Sequence, residues 1–205
     1  MNTRFLVNVA IGLTITATLA SAEPTREARS TAARTAVGTC AGCHGVDGTS
    51  INAKFPNLAA QPAAYLASQL KAFRSHSRGD PDALAFMWGM AAALDDAQID
   101  ALAQYYSAKP SHSGSGGDAT LRARGKAIYE AGVASQNVPP CGACHGAKGE
   151  GTAEFPRLAG QHPQYFLNQM RSYQTSFRST VPMQLFARAL NTADLEALAA
   201  YMQSM

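Results

Sequence analysis

The sequence predicts a helical protein built as two tandem copies of one unit, and three observations carry that prediction. The motif Cys-x-x-Cys-His occurs twice, as Cys40-Ala41-Gly42-Cys43-His44 and Cys141-Gly142-Ala143-Cys144-His145, and the two copies hold all 4 cysteines of the 205-residue chain. Residues 55–69 match residues 155–169 at 7 of 15 positions at an offset of 100, and residues 87–105 match residues 183–201 at 9 of 19 positions at an offset of 96. Apolar side chains recur at helical spacing, as in Tyr65, Leu66, Leu70 and Phe73 and in Ile99, Leu102, Ala103 and Tyr106. The change of offset puts a four-residue deletion in the second copy, ahead of Met183. Corresponding positions should therefore do corresponding jobs.

The spacing of the five-residue motif has a mechanical reason. Two thiols three positions apart reach the two vinyl groups of one porphyrin, and the next residue presents an imidazole to its iron. A bare Cys-x-x-Cys also fits a thioredoxin-like pair, half of a zinc site or a local disulfide. The adjacent histidine in both copies, the lack of any further cysteine and the surrounding repeat favour two covalently bound haem c groups. Cys40 and Cys43 would hold one and Cys141 and Cys144 the other, with His44 and His145 as the proximal metal ligands. A zinc site would need four cysteines gathered across two domains and would leave both histidines unexplained.

Taken in order, residues 1–22 read as a secretory signal: Arg4, an apolar run from Phe5 to Leu19, and Ala20-Ser21-Ala22 as a small-x-small cleavage site. The run falls short of the roughly 20 residues that a membrane span needs, which disfavours an uncleaved anchor. Export suits covalent haem attachment, which takes place outside the cytoplasm. A first domain, residues 23–108, opens with a helix over Glu23–Val37 that delivers the first motif. Turn residues Gly45-Val46-Asp47-Gly48 follow, then a helix from about Pro62 to Ser75, a break at Arg78-Gly79-Asp80-Pro81, and a loop carrying Met87 and Met90. Asp95 caps the last helix, with Gln98 completing a capping box. Residues 109–117, Lys-Pro-Ser-His-Ser-Gly-Ser-Gly-Gly, read as a flexible linker. A second domain, residues 118–205, begins with a helix near Asp118–Ala131 and repeats the order.

The second axial position decides the chemistry, because a strong sixth ligand closes the iron to substrates and leaves an electron carrier. Met183 follows Pro182 in what reads as an extended loop, and the offset of 96 maps it onto Met87. Met90 maps onto Phe186 and reads as a pocket filler. His76, His112 and His162 have no counterparts in the other copy and read as surface side chains, and the unmatched Trp88 is expected to cover a haem edge. Pro56 and Pro156 follow their histidines by 12 and 11 residues, so their carbonyls can accept the imidazole Nδ1 proton, although a helix-entry role fits them too. Tyr65/Gln69 and Tyr165/Gln169 share a helix face, with core packing at the domain interface and a propionate or electron-transfer role both open.

The formal net charge is +3, and the basic residues are scattered singly, which excludes a nucleic-acid-binding patch. With these residues in place the chain resembles the dihaem cytochrome c4 family, over essentially all of residues 23–205. The resemblance rests on Cys40 to Gly45, Phe55-Pro56-Asn57-Leu58-Ala59, Met87 with Ala91 and Leu94, and the same series at Cys141 to Gly146, Phe155 to Ala159 and Met183 to Leu190. It implies an all-α fold of two class I cytochrome c domains, each wrapped around a covalent haem, and His/Met ligation by His44, Met87, His145 and Met183. It also implies a periplasmic location, often with loose membrane association, and electron delivery from a quinol–cytochrome c reductase toward a terminal oxidase. Similar dihaem chains serve instead as the electron-accepting subunit of a dehydrogenase acting on thiosulfate, sulfide or an alcohol. A dihaem peroxidase would need an open iron, which two strong methionine candidates disfavour.

Overall fold

The computed structural model describes residues 25–112, 114 and 116–205; the expected signal segment, residues 1–22, lies outside them. The fold is all-α. Helix α1 (Arg26–Thr35) starts where the Thr25 hydroxyl accepts the Ala28 N–H, and it runs through a π-type turn at Ala36–Cys40 into α2 (Ala41–His44). The first motif therefore ends one continuous helical run, and the expected helix continues past Val37 as far as His44. Helix α3 (Ala63–Arg74) follows, then a second π-type turn at Ala83–Met87, α4 (Trp88–Ala91) and α5 (Asp96–Ser107). The capping box forms as expected: the Gln98 N–H donates to Asp95 at 2.8 Å, and the Gln98 side chain accepts the Asp95 N–H at 2.9 Å.

The second half repeats this order as α6 (Ala119–Ala131), α7 (Gly142–His145), α8 (Pro163–Gln174), α9 (Met183–Ala189) and α10 (Thr192–Ser204). Among the described residues, extended pairing is limited to the isolated bridges Val133–Val138 and Thr152–Phe155. In each half the first and last helices cross, and the middle helix packs on the last. At the α6–α10 crossing a Cβ on Gly125 would overlap the Ala197 carbonyl, so only glycine permits this approach. Ile128, Tyr129, Phe166, Met170, Leu195 and Leu198 form the second core; Ala32, Ala36, Leu66, Leu102 and Tyr106 form the first.

One expectation is corrected here. Met183 does not sit in an extended loop: it is the first residue of α9, and Met87 closes a π-type turn. Met183-Gln184-Leu185-Phe186-Ala187 is rich in unbranched helix formers, and the Pro182 carbonyl accepts the Leu185 N–H at 3.0 Å to start the turn.

Candidate haem-binding site

Each motif histidine is the last residue of a short helix, and a glycine then turns the chain away: Gly45 at φ 78° after His44 and Gly146 at φ 84° after His145. A Cβ at Gly45 would run into the Thr49 backbone, which ties the turn to glycine. The loop beyond is pinned back onto the motif by a hydroxyl in both halves. Ser50 Oγ donates to the Cys43 carbonyl at 2.7 Å, and Thr152 Oγ1 to the Cys144 carbonyl at 2.9 Å.

Both imidazoles are buried, at 7% exposure for His44 and 5% for His145. His44 Nδ1 lies 2.9 Å from the Pro56 carbonyl, and His145 Nδ1 lies 2.9 Å from that of Pro156. A carbonyl only accepts, so Nδ1 carries the proton and Nε2 keeps its lone pair. Burial pushes both histidines below their ordinary pKa of 6.5, against the opposing effect of the proline carbonyl, so the neutral ring a metal requires is the form that folding selects.

The four cysteines are unpaired. Burial raises the Cys40 thiol and pushes Cys141 up to about 11, the opposite of what a thioredoxin-like nucleophile needs. Among the described residues no cluster of three or more His, Cys, Asp or Glu side chains could hold a metal ion, so the two cysteine pairs are not gathered into one zinc site. Instead one continuous cavity of about 780 Å³ is lined by Cys40, Cys43, His44 and Met87 from the first domain and by Cys141, Cys144, His145 and Met183 from the second. Two thiols, an imidazole nitrogen and a thioether per half form a donor set that fits a c-type haem. Phe55 and Phe155 stand edge-on to the two imidazoles, with ring centroids 6.1 and 6.2 Å away.

Met90 also lines the cavity and is 55% exposed. Trp88 is not among the residues that line the cavity: its ring stacks on His76, with centroids 4.0 Å apart and planes 12° from parallel, and its Nε1 donates to the Arg78 carbonyl at 2.8 Å. His162 is half-buried, with Nε2 2.9 Å from the Ser50 carbonyl of the other domain, so it is not a free surface side chain.

A polar seam joins the two halves of the cavity; Tyr65, Gln69, Tyr165 and Gln169 meet there, at the domain interface that the sequence offered for them, but the sequence reading missed the charged side chains that bind them together. Arg78 and Arg178 are both buried there. Arg78 donates to Asp80 at 2.7 Å, to Gln69 at 2.7 Å and to Gln169 at 2.8 Å; Arg178 donates to Gln169 at 2.8 Å and to Gln69 at 2.9 Å. Tyr65 and Tyr165 complete the ring as hydroxyl acceptors, each 3.2 Å from the arginine of the other domain. The signal was present: the offset of 100, carried a few residues past Gln69, matches Arg78 to Arg178.

The family model described as Cytochrome c matches residues 30–107 and again residues 122–205. Cytochrome c-552 of Acidithiobacillus ferridurans is 39% identical over 168 residues, covering 81% of this chain and 73% of the relative. The thiosulfate dehydrogenase electron acceptor of Stutzerimonas stutzeri is 37% identical over 169 residues, covering 79% of this chain and 76% of that protein. The solved structure of Acidithiobacillus ferrooxidans cytochrome c4 superposes with a TM-score of 0.77 at 38% identity, covering 81% of this chain and 98% of that one.

Proposed function

Because this chain belongs to the cytochrome c family, as a tandem dihaem member of the cytochrome c4 type, we propose that His44 and Met87 clamp the first iron and His145 and Met183 the second. The chain carries two covalent haems and is an electron carrier of the periplasm. When bound, each haem supplies a one-electron iron couple. The chain's own residues would hold it: Cys40, Cys43, Cys141 and Cys144 would tether the two groups, and Nε2 of His44 and His145 with the thioethers of Met87 and Met183 would serve as iron ligands, the thioether being a ligand that raises the potential. The observation that carries this reading is the pair of Nδ1 contacts to the Pro56 and Pro156 carbonyls, which fixes the tautomer with Nε2 free. We divide the chain at residues 109–117, between a first domain over residues 23–108 and a second over residues 118–205.

Redox proteins are the partners that the family implies. We propose a terminal oxidase as the destination of the electrons and a quinol–cytochrome c reductase as their source, with loose membrane association. The alternative, an electron-accepting subunit of a periplasmic dehydrogenase, is supported by the 37% identity to the thiosulfate dehydrogenase electron acceptor. Haem quantitation with a visible spectrum of the ferric protein tests the ligation: two haems per chain and the weak far-red band of methionine–iron bonding are expected. Ready binding of peroxide or carbon monoxide would overturn it. Co-purification with a catalytic subunit separates the two partner readings.

A further inference from the structure

The peptide that orients each proximal histidine is itself gripped by a glutamine of the opposite domain. The Pro56 carbonyl, which accepts His44 Nδ1–H at 2.9 Å, belongs to the same peptide group as the Asn57 N–H, and that N–H donates to Gln161 Oε1 at 2.9 Å. In the other half the Pro156 carbonyl accepts His145 Nδ1–H at 2.9 Å, and the Arg157 N–H of the same peptide donates to Gln61 Oε1 at 3.0 Å. Each glutamine also closes a second bond onto the residue it grips. Gln161 Nε2 donates to the Asn57 carbonyl at 3.1 Å and Gln61 Nε2 to the Arg157 carbonyl at 2.8 Å. A primary amide offers a donor and an acceptor side by side, as this two-point grip requires.

From these two crossed chains of hydrogen bonds we propose that Gln161 is a positioning residue for His44 and Gln61 for His145, each acting across the domain boundary on the other domain's iron. The physical link is polarisation. An amide whose N–H donates becomes a stronger acceptor at its own carbonyl, and the low dielectric of a buried site enhances the effect. A stronger acceptor at Nδ1–H makes the imidazole a more basic ligand. A more basic ligand favours the ferric state and lowers the potential. Gln61 and Gln161 are 5% and 6% exposed, so bulk water has little access to replace either amide.

The two relays are unequal. Asn57 adds a third crossed bond, from Nδ2 to the Gly160 carbonyl at 2.9 Å, and its Oδ1 accepts the Ser50 N–H at 2.8 Å. The matching residue of the second domain is Arg157, whose guanidinium cannot accept a hydrogen bond as the Asn57 amide does. The peptide behind His145 thus depends more heavily on its single glutamine, and loss of Gln61 should be felt more than loss of Gln161.

The proposal rests on the axial ligation given above, and the test separates the two. In the ¹⁵N-histidine-labelled, ferrous holoprotein, Gln61→Ala should move the Nδ1–H resonance of His145 upfield and leave that of His44 in place, while Gln161→Ala does the reverse with a smaller shift. The midpoint potential of the affected centre should rise in parallel. Gln61→Glu, which keeps an oxygen for the Arg157 N–H in either protonation state, should restore the His145 resonance. Equal movement of both histidines, as a merely loosened interface would give, overturns the relay, and so does movement of the histidine in the substituted domain or no movement at all. Failure of the ligation reading appears separately, as an unchanged far-red band in ferric Met87→Ala.

Discussion

Arg78 and Arg178, one from each domain, donate to the same oxygen, Oε1 of Gln169, at 2.8 Å each. Two guanidiniums thus converge in the buried seam, and Asp80 is the carboxylate that answers them, bonded to Arg78 Nε at 2.7 Å and to Gln169 Nε2 at 3.2 Å. The second domain has Thr180 at the matching position. Asp80→Asn would remove the one carboxylate that this ring of side chains supplies to its two buried guanidiniums. A loss of about 3 kcal/mol is expected in chemical denaturation of the holoprotein, the scale for breaking a buried pair. A loss under about 1 kcal/mol, the range of exposed pairs, would contradict this view of the seam.

The same pair sets a pH dependence. Burial alone would raise the Asp80 carboxyl, but the Arg78 charge and the hydrogen bonds from Arg78 and Gln169 outweigh it and hold the carboxyl below its ordinary value of 3.8. A carboxyl depressed by folding contributes stability that is complete above its unfolded pKa and is lost as pH falls through the folded one. The stability gap between the wild type and Asp80→Asn should therefore be flat from about pH 5 to 8 and shrink once the pH drops below 3.8. Denaturation midpoints measured across that range check the sign, since a gap that widened on acidification would reverse it.

Met87 and Met90 both line the cavity, and only one has a sulfur counterpart in the other half. Met87→Ala should remove about half of the ferric far-red band and open one iron to carbon monoxide, because a strong sixth ligand is what closes the site. Met183→Ala should remove the other half. Met90→Ala should leave the band intact, consistent with a side chain already 55% exposed. The reverse pattern between Met87 and Met90 would move the ligand by one helical turn.

Much of this architecture could be read from the chain alone, for identifiable reasons. Motif, cap and repeat are local: Asp95 and Gln98 lie three positions apart, and His44 meets a proline 12 residues away within one loop. The seam is not local. Arg78 and Gln169 are 91 residues apart, and a repeat count says that two units are alike without saying which faces meet. Within the repeat, Gln61 and Gln161 match each other, yet a side chain bonded to another domain's backbone leaves no periodic trace. The His76–Trp88 stack was hidden for a related reason: a large ring beside a candidate ligand suggests a cofactor wall, whereas the ring it stacks on, His76, sits across the break at Gly79.

That ring pair has a counterpart that sharpens the final prediction. At the matching positions the second domain carries Ser176 and Gln184, and Gln184 Nε2 donates to Ser176 Oγ at 3.1 Å. His76 and Ser176 both occupy left-handed backbone, at φ 59° and 68°, so the turn is shared and only the side-chain bond has been exchanged, a stack for a hydrogen bond. His76→Ser and Trp88→Gln, each alone, should destabilise the holoprotein, because each strands one half of the stack. The double variant should lose less than their sum, with a coupling of about 0.5–1.5 kcal/mol, the range for packed ring pairs. Trp88→Phe isolates the other contribution: it keeps a ring over His76 but leaves the Arg78 carbonyl without its 2.8 Å donor, at a cost of about 1 kcal/mol. Additive losses in a denaturation cycle would show that the two rings are adjacent without being coupled, and the tie from α4 to the arginine seam would then rest on the Trp88 Nε1 bond alone.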